Sequence, residues 1–309
     1  MTQAAAIHPR PAFGAVLLEQ VRTVGLSLRR EAALAAAVVA ALTVVILQDV
    51  LPDGHPIHFQ PDGLLLVAVV GLTLPFAVWR RERLYDGGYL WTLPVARPRH
   101  ALAKALAGLV WLAASGAAFF AWLFALSLIS GGGVGADETR YLINGDPSVV
   151  LRSVPSEGEI RYLPAPGAPD ALSPFRWRTP GWAWFTPVTA GLAAYLIGTA
   201  WMIGLKRPLL AAAACVLAFL AVLFVMEELL ETNFIEAVFA PLVTGPYGLE
   251  AALGGGSESL PIHIRQPDGA FSQAWIAPPS GARWAAATAV WTAAGALALS
   301  AALFRHREA

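Results

Sequence analysis

The chain has 309 residues, of which 57% are hydrophobic and only 14% charged, and its basic and acidic residues balance to a formal net charge of zero. So apolar a composition excludes an ordinary soluble domain, and a neutral chain offers no general attraction for nucleic acid. The lone cysteine, Cys215, excludes an intrachain disulfide. The composition therefore predicts a polytopic membrane protein, with one transmembrane domain over residues 1–309.

Residues 12–30 form the first predicted element. Their apolar side chains recur at steps of three to four residues, while Glu19 and Arg22 occupy other faces, a spacing typical of an amphipathic helix. Because the segment is basic and directly precedes an apolar run, we expect it to lie in the cytoplasmic interface of the membrane. A helix packed on the protein itself is the alternative, since amphipathicity alone does not separate the two.

Six apolar runs follow, each close to the ~20 residues that a helix needs to cross the hydrocarbon core. None carries Asp, Glu, Lys or Arg in its middle, which argues against a proton-coupled or ion-conducting carrier. We therefore predict an all-α polytopic fold with six transmembrane helices. The runs cover about residues 32–48, 63–79, 105–129, 182–205, 209–226 and 284–304.

The basic residues are unevenly divided between the segments that join these runs. Fourteen of the 21 lie in residues 1–31, 80–104, 206–208 and 305–309. Because short cytoplasmic loops hold the excess of Lys and Arg, these segments are predicted to face the cytoplasm. The expected location is the cytoplasmic (cell inner) membrane, with both termini inside.

Two long segments, residues 130–181 and 227–283, are then extracytoplasmic, and short β-prone runs between Pro and Gly turns predict small β elements in both. The second begins with a helical stretch that is apolar enough to re-enter the membrane edge. This stretch also carries a cluster of acids, which we consider as a candidate outer gate or contact for a cationic substrate group. An acidic helix end at the interface is the alternative. The acids are Glu227, Glu228, Glu231 and Glu236.

Three common motifs of nucleotide binding and hydrolysis do not occur in the sequence. It contains no G-x-x-x-x-G-K-[ST] loop for ATP, no H-E-x-x-H and no G-x-S-x-G. Asp53, His55 and His58 are suitable metal donors in type, but three donors in a short proline-containing loop favour a solvated turn. The sequence therefore predicts no catalytic residue, no metal site and no cofactor in this chain, and hence no enzyme.

Residues 80–104 carry the most informative pattern. Arg-Glu-Arg at 81–83 is followed by Gly87-Gly88, by Tyr-Leu-Trp-Thr-Leu-Pro-Val-Ala-Arg at 89–97, and by Lys104 at the start of the third run. This order resembles the first cytoplasmic loop of the ABC type-2 transporter permeases. The short loop at 206–208 and the overall arrangement of six runs are similar to that family as well.

The resemblance implies that residues 80–104 form a coupling helix that docks on a separate ATPase subunit, which binds ATP and Mg. It further implies a homo- or heterodimer of permease chains with two ATPase copies and surrounding membrane lipid, without nucleic acid. From the residues alone, a location of Tyr89, Leu90 and Trp91 in the headgroup layer stays an equal alternative. The implied docking residues are Leu90, Trp91, Leu93 and Pro94, and the implied charged contacts are Glu82, Arg83 and Arg97.

The expected function is that of the transmembrane permease subunit of an ATP-driven ABC exporter. Its substrate would be hydrophobic or amphipathic, such as a drug, a lipid-like molecule or a natural product. The alternative is a membrane anchor or sensor whose extracytoplasmic loops bind a partner.

Overall fold

The computed structural model describes residues 12–53, 56–61, 65–80, 97–156, 159–167, 170–229, 240–265 and 271–305, and these are mostly helical. A 3₁₀ turn, Gly181–Phe185, leads into one helix, and a π-helical turn, Phe224–Leu229, extends another. The helices are α1 Phe13–Asp53, α2 Leu66–Trp79, α3 Arg97–Ile129, α4 Pro147–Val150, α5 Thr186–Gly204, α6 Pro208–Leu223, α7 Ala240–Val243, α8 Leu249–Gly254 and α9 Gly281–Arg305.

Within the described part of the chain, five helices are long and apolar enough to cross a membrane: α1, α3, α5, α6 and α9. They indicate a membrane-embedded protein. The predicted count of six is not confirmed, because α2 has only 14 residues and spans about 21 Å at 1.5 Å per residue, less than the ~30 Å of a hydrocarbon core.

No residue of α6 is buried within the protein. A helix that is apolar on all sides needs apolar surroundings. A lipid bilayer supplies them, so α6 supports the membrane assignment independently of its length.

Helix α1 joins the predicted amphipathic segment and the predicted first span in one continuous helix of 41 residues, about 61 Å long. The charged residues between the two parts do not break it, because Arg, Glu and Ala are all good helix formers. Its apolar stripe packs on the protein, with Val24 and Leu28 buried and Leu17 and Val21 beside them. Where this part of α1 lies relative to a membrane surface stays a prediction.

One end of the helical bundle has a common apolar core. There the first half of α1 meets the C-terminal ends of α2, α5 and α9 and the N-terminal end of α3. These are the helix ends next to the basic segments of the sequence, and we call this end of the molecule the basic end. Its buried residues are Val24, Leu28, Val78, Trp79, Ala101, Ala107, Ala200, Ile203, Leu299 and Ala302.

Helix α5 lies at the centre, between α2 and α9. Small residues allow the close approach: a Cβ at Gly71 would overlap the carbonyl oxygen of Gly191, and one at Gly198 would lie 2.7 Å from the oxygen of Leu72. The hydroxyl of Tyr195 donates a hydrogen bond to the carbonyl oxygen of Ala105, at 2.6 Å, and so ties α5 to α3.

The other end of the molecule carries a six-stranded mixed sheet in the order β2-β3-β5-β6-β1-β4. Adjacent strands are antiparallel except in the pairs β3-β5 and β1-β6, which are parallel. The strands are β1 Asp137–Ile143, β2 Leu151–Ser156, β3 Glu159–Pro164, β4 Leu172–Arg178, β5 Glu258–Arg265 and β6 Phe271–Ala277.

Both segments that were predicted to be extracytoplasmic thus build one sheet rather than separate β elements. The hairpin β5-β6 from the second segment inserts between strands of the first and completes a core around Ile143, Ile262 and Ala274. The physical reason is that two-stranded pieces are marginally stable in water, whereas a larger sheet with an apolar face is not. The predicted re-entrant helix falls largely on residues 230–239, outside the described residues.

Candidate functional site

The predicted docking residues Leu90, Trp91, Leu93 and Pro94, and the charged residues Glu82 and Arg83, lie outside the described residues. Arg97 is the first residue of α3. The helix ends on both sides of residues 81–96 are described, and they show how this segment is attached to the bundle.

Both attachment points are buried. At the end of α2, Val78 and Trp79 are each only 3% exposed, and in the first turns of α3 Lys104 is 5% exposed. The Lys104 ammonium lies 5.0 Å from the centre of the Trp79 ring, an arrangement that a cation–π interaction stabilises. The chain therefore leaves and re-enters the bundle at two helix ends that touch each other.

A cavity of about 520 Å³ lies beside these ends, between α1, α2 and α3. Four cations line it, Arg29, Arg30, Arg80 and Lys104, together with one acid, Glu31. Arg80 contacts Glu31 at 3.0 Å, but both side chains are exposed. The ion pair therefore orients these two side chains and adds little to the stability of the fold. The cavity is positively charged overall.

A second, apolar groove lies at the same end, formed by the first turns of α1 and α3 and the last turns of α9. The Arg99 guanidinium lies 5.8 Å from the centre of the Phe13 ring at its edge. The start of α1 and the residues that follow segment 81–96 therefore belong to one surface.

The side chains of the four acids of the predicted outer gate lie outside the described part of the structure. Glu227 and Glu228 belong to the π-helical turn Phe224–Leu229, which continues α6, and the placement of their side chains is outside the described part. Glu231 and Glu236 lie outside the described residues altogether. Their role stays a prediction.

Of the three considered metal donors, only His58 has a described side chain. The Nδ1 atom of His58 accepts a hydrogen bond from the amide of Gly133, at 3.2 Å, while Asp53 ends α1 and His55 is outside the described residues. Phe59 stacks on Trp184 with ring centres 5.1 Å apart. The loop around His58 and Phe59 therefore packs against the sheet end of the helices. No group of three metal-binding side chains occurs among the described residues.

Sequence reasoning missed a cavity of about 290 Å³ at the sheet end, which we call the sheet-end cavity. It lies between the sheet, the 3₁₀ turn, α5 and α8. Its walls include the rings of Trp177, Trp182 and Trp275 and the charged side chains of Glu138 and Arg140.

The alternation of side chains along each strand explains why these residues share one wall of the cavity. Successive side chains of a strand point to opposite faces, so Glu138 and Arg140 of β1 share a face, and Glu138 lies opposite Trp177 of β4. Trp275 of β6 is paired with Leu142 on the other side of β1. The rings of Trp177 and Trp275 meet edge to face with centres 4.7 Å apart.

The charges of this wall are matched. Arg140 contacts Glu138 at 2.5 Å, and the Arg140 guanidinium also lies 5.6 Å from the centre of the Trp275 ring. The cation is therefore held between a carboxylate and an aromatic face, and the wall is electrically neutral.

An ion pair on the opposite face of β1 joins it to β4. Arg176 donates two hydrogen bonds to the carboxylate of Asp137, at 2.5 and 2.7 Å, and Arg178 lies 3.3 Å from it. The hydrogen bonds from Arg176, and then the charges of both guanidinium groups, hold the pKa of Asp137 below its usual range, and Asp137 raises the pKa of Arg176.

In comparison with known proteins, no family model matches the chain, and neither does any curated protein or solved structure. The protein is therefore classified by its fold alone. It is a membrane-embedded, largely helical protein with a mixed six-stranded sheet at one end of the bundle and a basic cavity at the other.

Proposed function

We propose that the chain is the transmembrane permease subunit of an ATP-driven exporter of the ABC type-2 kind, which its residues 80–104 resemble. It would move a hydrophobic or amphipathic substrate across the cytoplasmic membrane, as one half of a dimer of such subunits with two separate ATPase chains. The contact between Trp79 and Lys104 is the observation that carries the proposal, because it joins the two attachment points of the segment that would receive the ATPase.

The helix packing supports a mechanical role for this segment. A force on residues 81–96 acts on α2 and α3 together, since their ends touch and are buried. Helix α2 lies against α5 without space for a Cβ at Gly71, so it cannot shift without moving its neighbour or losing the contact. Close-packed interiors respond to such a push by changing arrangement rather than by compressing.

The distribution of charge supports a cytoplasmic basic end. Arg29, Arg30, Arg80 and Lys104 line the cavity at this end, and Lys and Arg are usually retained on the cytoplasmic side of a membrane. Lys206 lies three residues after Ile203, which is part of the same buried core. In this orientation the sheet is extracytoplasmic and both termini are inside.

The coupling between ATP binding and helix movement follows from thermodynamic linkage. ATP drives a change between two arrangements of the helices only if the ATPase binds the two arrangements with different affinity. Docking through residues 81–96 gives this difference, because a movement of α2 and α3 changes the distance and angle between the docking side chains.

The test is affinity purification of the tagged chain from its native membranes, followed by identification of a co-purifying subunit that contains a phosphate-binding G-x-x-x-x-G-K-[ST] loop. The double variant Trp91→Ala, Leu93→Ala is expected to lose this subunit and ATP-dependent export. The matched control is Phe185→Ala, Leu249→Ala, which removes an exposed aromatic residue and an exposed leucine near the sheet.

Retention of the ATPase by the Trp91 and Leu93 variant would refute the docking assignment. Absence of any such ATPase from preparations of the unaltered chain would instead favour a membrane anchor or sensor. The sheet-end cavity is the observation that supports this second candidate, because it offers a place for an extracytoplasmic ligand.

A further inference from the structure

We propose that the sheet-end cavity is a binding site for a neutral, polyhydroxylated ring of the sugar class, either free or as the head group of an amphiphile. This inference concerns a part of the molecule that the proposed docking of an ATPase does not involve. It rests on the aromatic walls of the cavity, a buried hydroxyl that has no partner among the described residues, the balance of charge and the size of the space.

The aromatic walls suit a ring with one apolar face. Trp177, Trp182 and Trp275 all line the cavity. A flat aromatic face packs well on the C–H face of a pyranose, with weak C–H contacts to the π-system. Because Arg140 lies over the Trp275 ring, we expect the sugar to pack on Trp177 or Trp182. One polar face of the ring then stays available for hydrogen bonds.

The position of Trp182 is fixed in advance. Its ring stacks on Trp284 with centres 5.5 Å apart, and a Cβ at Gly255 or Gly281 would lie within 2.7 or 2.8 Å of it. The tight surroundings keep the ring in one orientation. A preformed wall lowers the entropy cost of binding.

A buried hydroxyl group in the lining lacks a partner. Thr186 is only 4% exposed, and among the described residues its Oγ1 atom has no hydrogen-bond partner. Burying an unsatisfied hydroxyl is unfavourable. A change of the Thr186 rotamer would turn this hydroxyl into the cavity that the residue lines. A hydroxyl group of a ligand would then satisfy it, because sugar hydroxyls both donate and accept.

The balance of charge selects a neutral ligand. Glu138 is paired with Arg140. The carboxylate would repel an anionic ligand, and the guanidinium would repel a cationic ligand. The place that a ligand cation would take over Trp275 is already occupied by Arg140. The remaining polar side chains of the lining, Gln60 and Ser259 among them, are uncharged donors and acceptors.

The volume limits the size of the ligand. At about 290 Å³ the cavity is at the small end of the range of roughly 300–1,000 Å³ that is usual for small-molecule sites. It therefore fits one ring rather than an oligosaccharide.

The experiment uses the full chain, extracted from its membrane into polymer-bounded lipid particles, since glycoside detergents would themselves occupy the site. The probes are the neutral methyl β-glucoside, methyl β-galactoside and N-acetylglucosamine, with tetramethylammonium and acetate as charged probes. Saturation-transfer NMR reports binding, and tryptophan emission reports it independently. At least one neutral sugar is expected to bind saturably, and neither charged probe is.

The variant Thr186→Val removes only the unpartnered hydroxyl, so it is expected to stay folded and to bind the sugar about tenfold more weakly, as for the loss of one hydrogen bond to a ligand. Thr186→Ser keeps a hydroxyl and should bind as the unaltered chain does. Thr288→Val is the matched control, because the Thr288 hydroxyl is also without a partner among the described residues but does not line the cavity.

Three results would overturn the proposal. The first is that none of the three sugars binds, and the second is that tetramethylammonium or acetate binds in preference to them. The third is that Thr186→Val binds the sugar as tightly as Thr186→Ser does. All three readouts are independent of whether an ATPase co-purifies.

Discussion

The ammonium group of Lys104 lies 5.0 Å from the centre of the Trp79 ring, and the two residues lie on either side of the segment 81–96. Both are buried at the basic end. A lysine is seldom buried to this degree without compensation, and an aromatic face provides part of it. The contact thus links the end of α2 to the start of α3, the two helix ends that border residues 81–96.

We predict that Trp79 and Lys104 are energetically coupled. Lys104→Met keeps the length of the side chain and removes its charge, and Trp79→Leu keeps an apolar side chain and removes the ring. In a double-mutant cycle the pair should show a coupling of about 0.5–2 kcal/mol, measured by thermal unfolding in lipid particles.

The same cycle on Arg99 and Phe13, which are 5.8 Å apart at a more open surface, serves as the comparison and should give a smaller coupling. Strict additivity for Trp79 and Lys104 would contradict the assignment.

We further predict that Gly71→Ala weakens the crossing of α2 and α5. The new methyl group would overlap the backbone oxygen of Gly191, and overpacking of this kind costs about 1–3 kcal/mol. Gly14→Ala in α1 is the matched control, because a Cβ at Gly14 meets no atom within 4 Å and Ala is the better helix former. The two substitutions should therefore shift the melting temperature in opposite directions, and equal shifts would show that α2 and α5 are not in close contact.

The apolar parts of the helices could be predicted from the sequence, and their polar ends could not. Hydropathy predicts the third run at 105–129, whereas α3 begins at Arg97. The reason is that hydropathy detects the apolar part of a helix and does not detect a polar first turn such as the one around Pro98. The last helix, Gly281–Arg305, departs from its predicted bounds by only a few residues. For the same reason α1 was divided at its charged residues although its backbone is continuous.

The sheet and its cavity were less accessible to prediction. Short β-prone runs are visible in both segments, but the position of β5 and β6 between β3 and β1 depends on pairing across 100 residues or more, which no local pattern encodes. The cavity combines Glu138, Trp177, Thr186 and Trp275 from four elements. The alternation of aromatic and charged residues in β4, Phe-Arg-Trp-Arg at 175–178, is a signal for it in the sequence. The docking role of residues 81–96 stays a prediction.

The ion pair between Asp137 and Arg176 predicts a local effect of pH on the sheet. Because the pKa of Asp137 is lowered in the folded chain, the pair stabilises β1 and β4 above the ordinary carboxyl pKa of 3.8, and this contribution is lost as the pH falls through the lowered value. The effect should be small, since the groups are exposed. Hydrogen exchange of the β1 and β4 amides should then accelerate below pH 3.8, relative to β2 and β3.

The matched variant is Asp137→Asn, which has the same shape and no charge. It should exchange faster than the unaltered chain at neutral pH and lose the additional acceleration in acid. An unchanged acid profile in Asp137→Asn would assign the effect to another group, such as Asp146, whose pKa is also lowered by hydrogen bonds from Ser148.

The contact between α3 and α5 predicts a compensating pair of substitutions. A Cβ at Gly108 would overlap the hydroxyl oxygen of Tyr195, so Gly108→Ala should destabilise the protein by about 1–3 kcal/mol. Tyr195→Phe removes that oxygen and with it the hydrogen bond to Ala105, which should cost about 1 kcal/mol. In the double variant the overlap is relieved, because the phenylalanine ring ends one atom earlier.

The double variant should therefore be more stable than the sum of the two single changes predicts, and thermal unfolding of all four proteins in the same lipid particles measures the difference. Additive losses would mean that Tyr195 does not fill the space beside Gly108, and the packing of α5 on α3 would then have to differ from the arrangement described above.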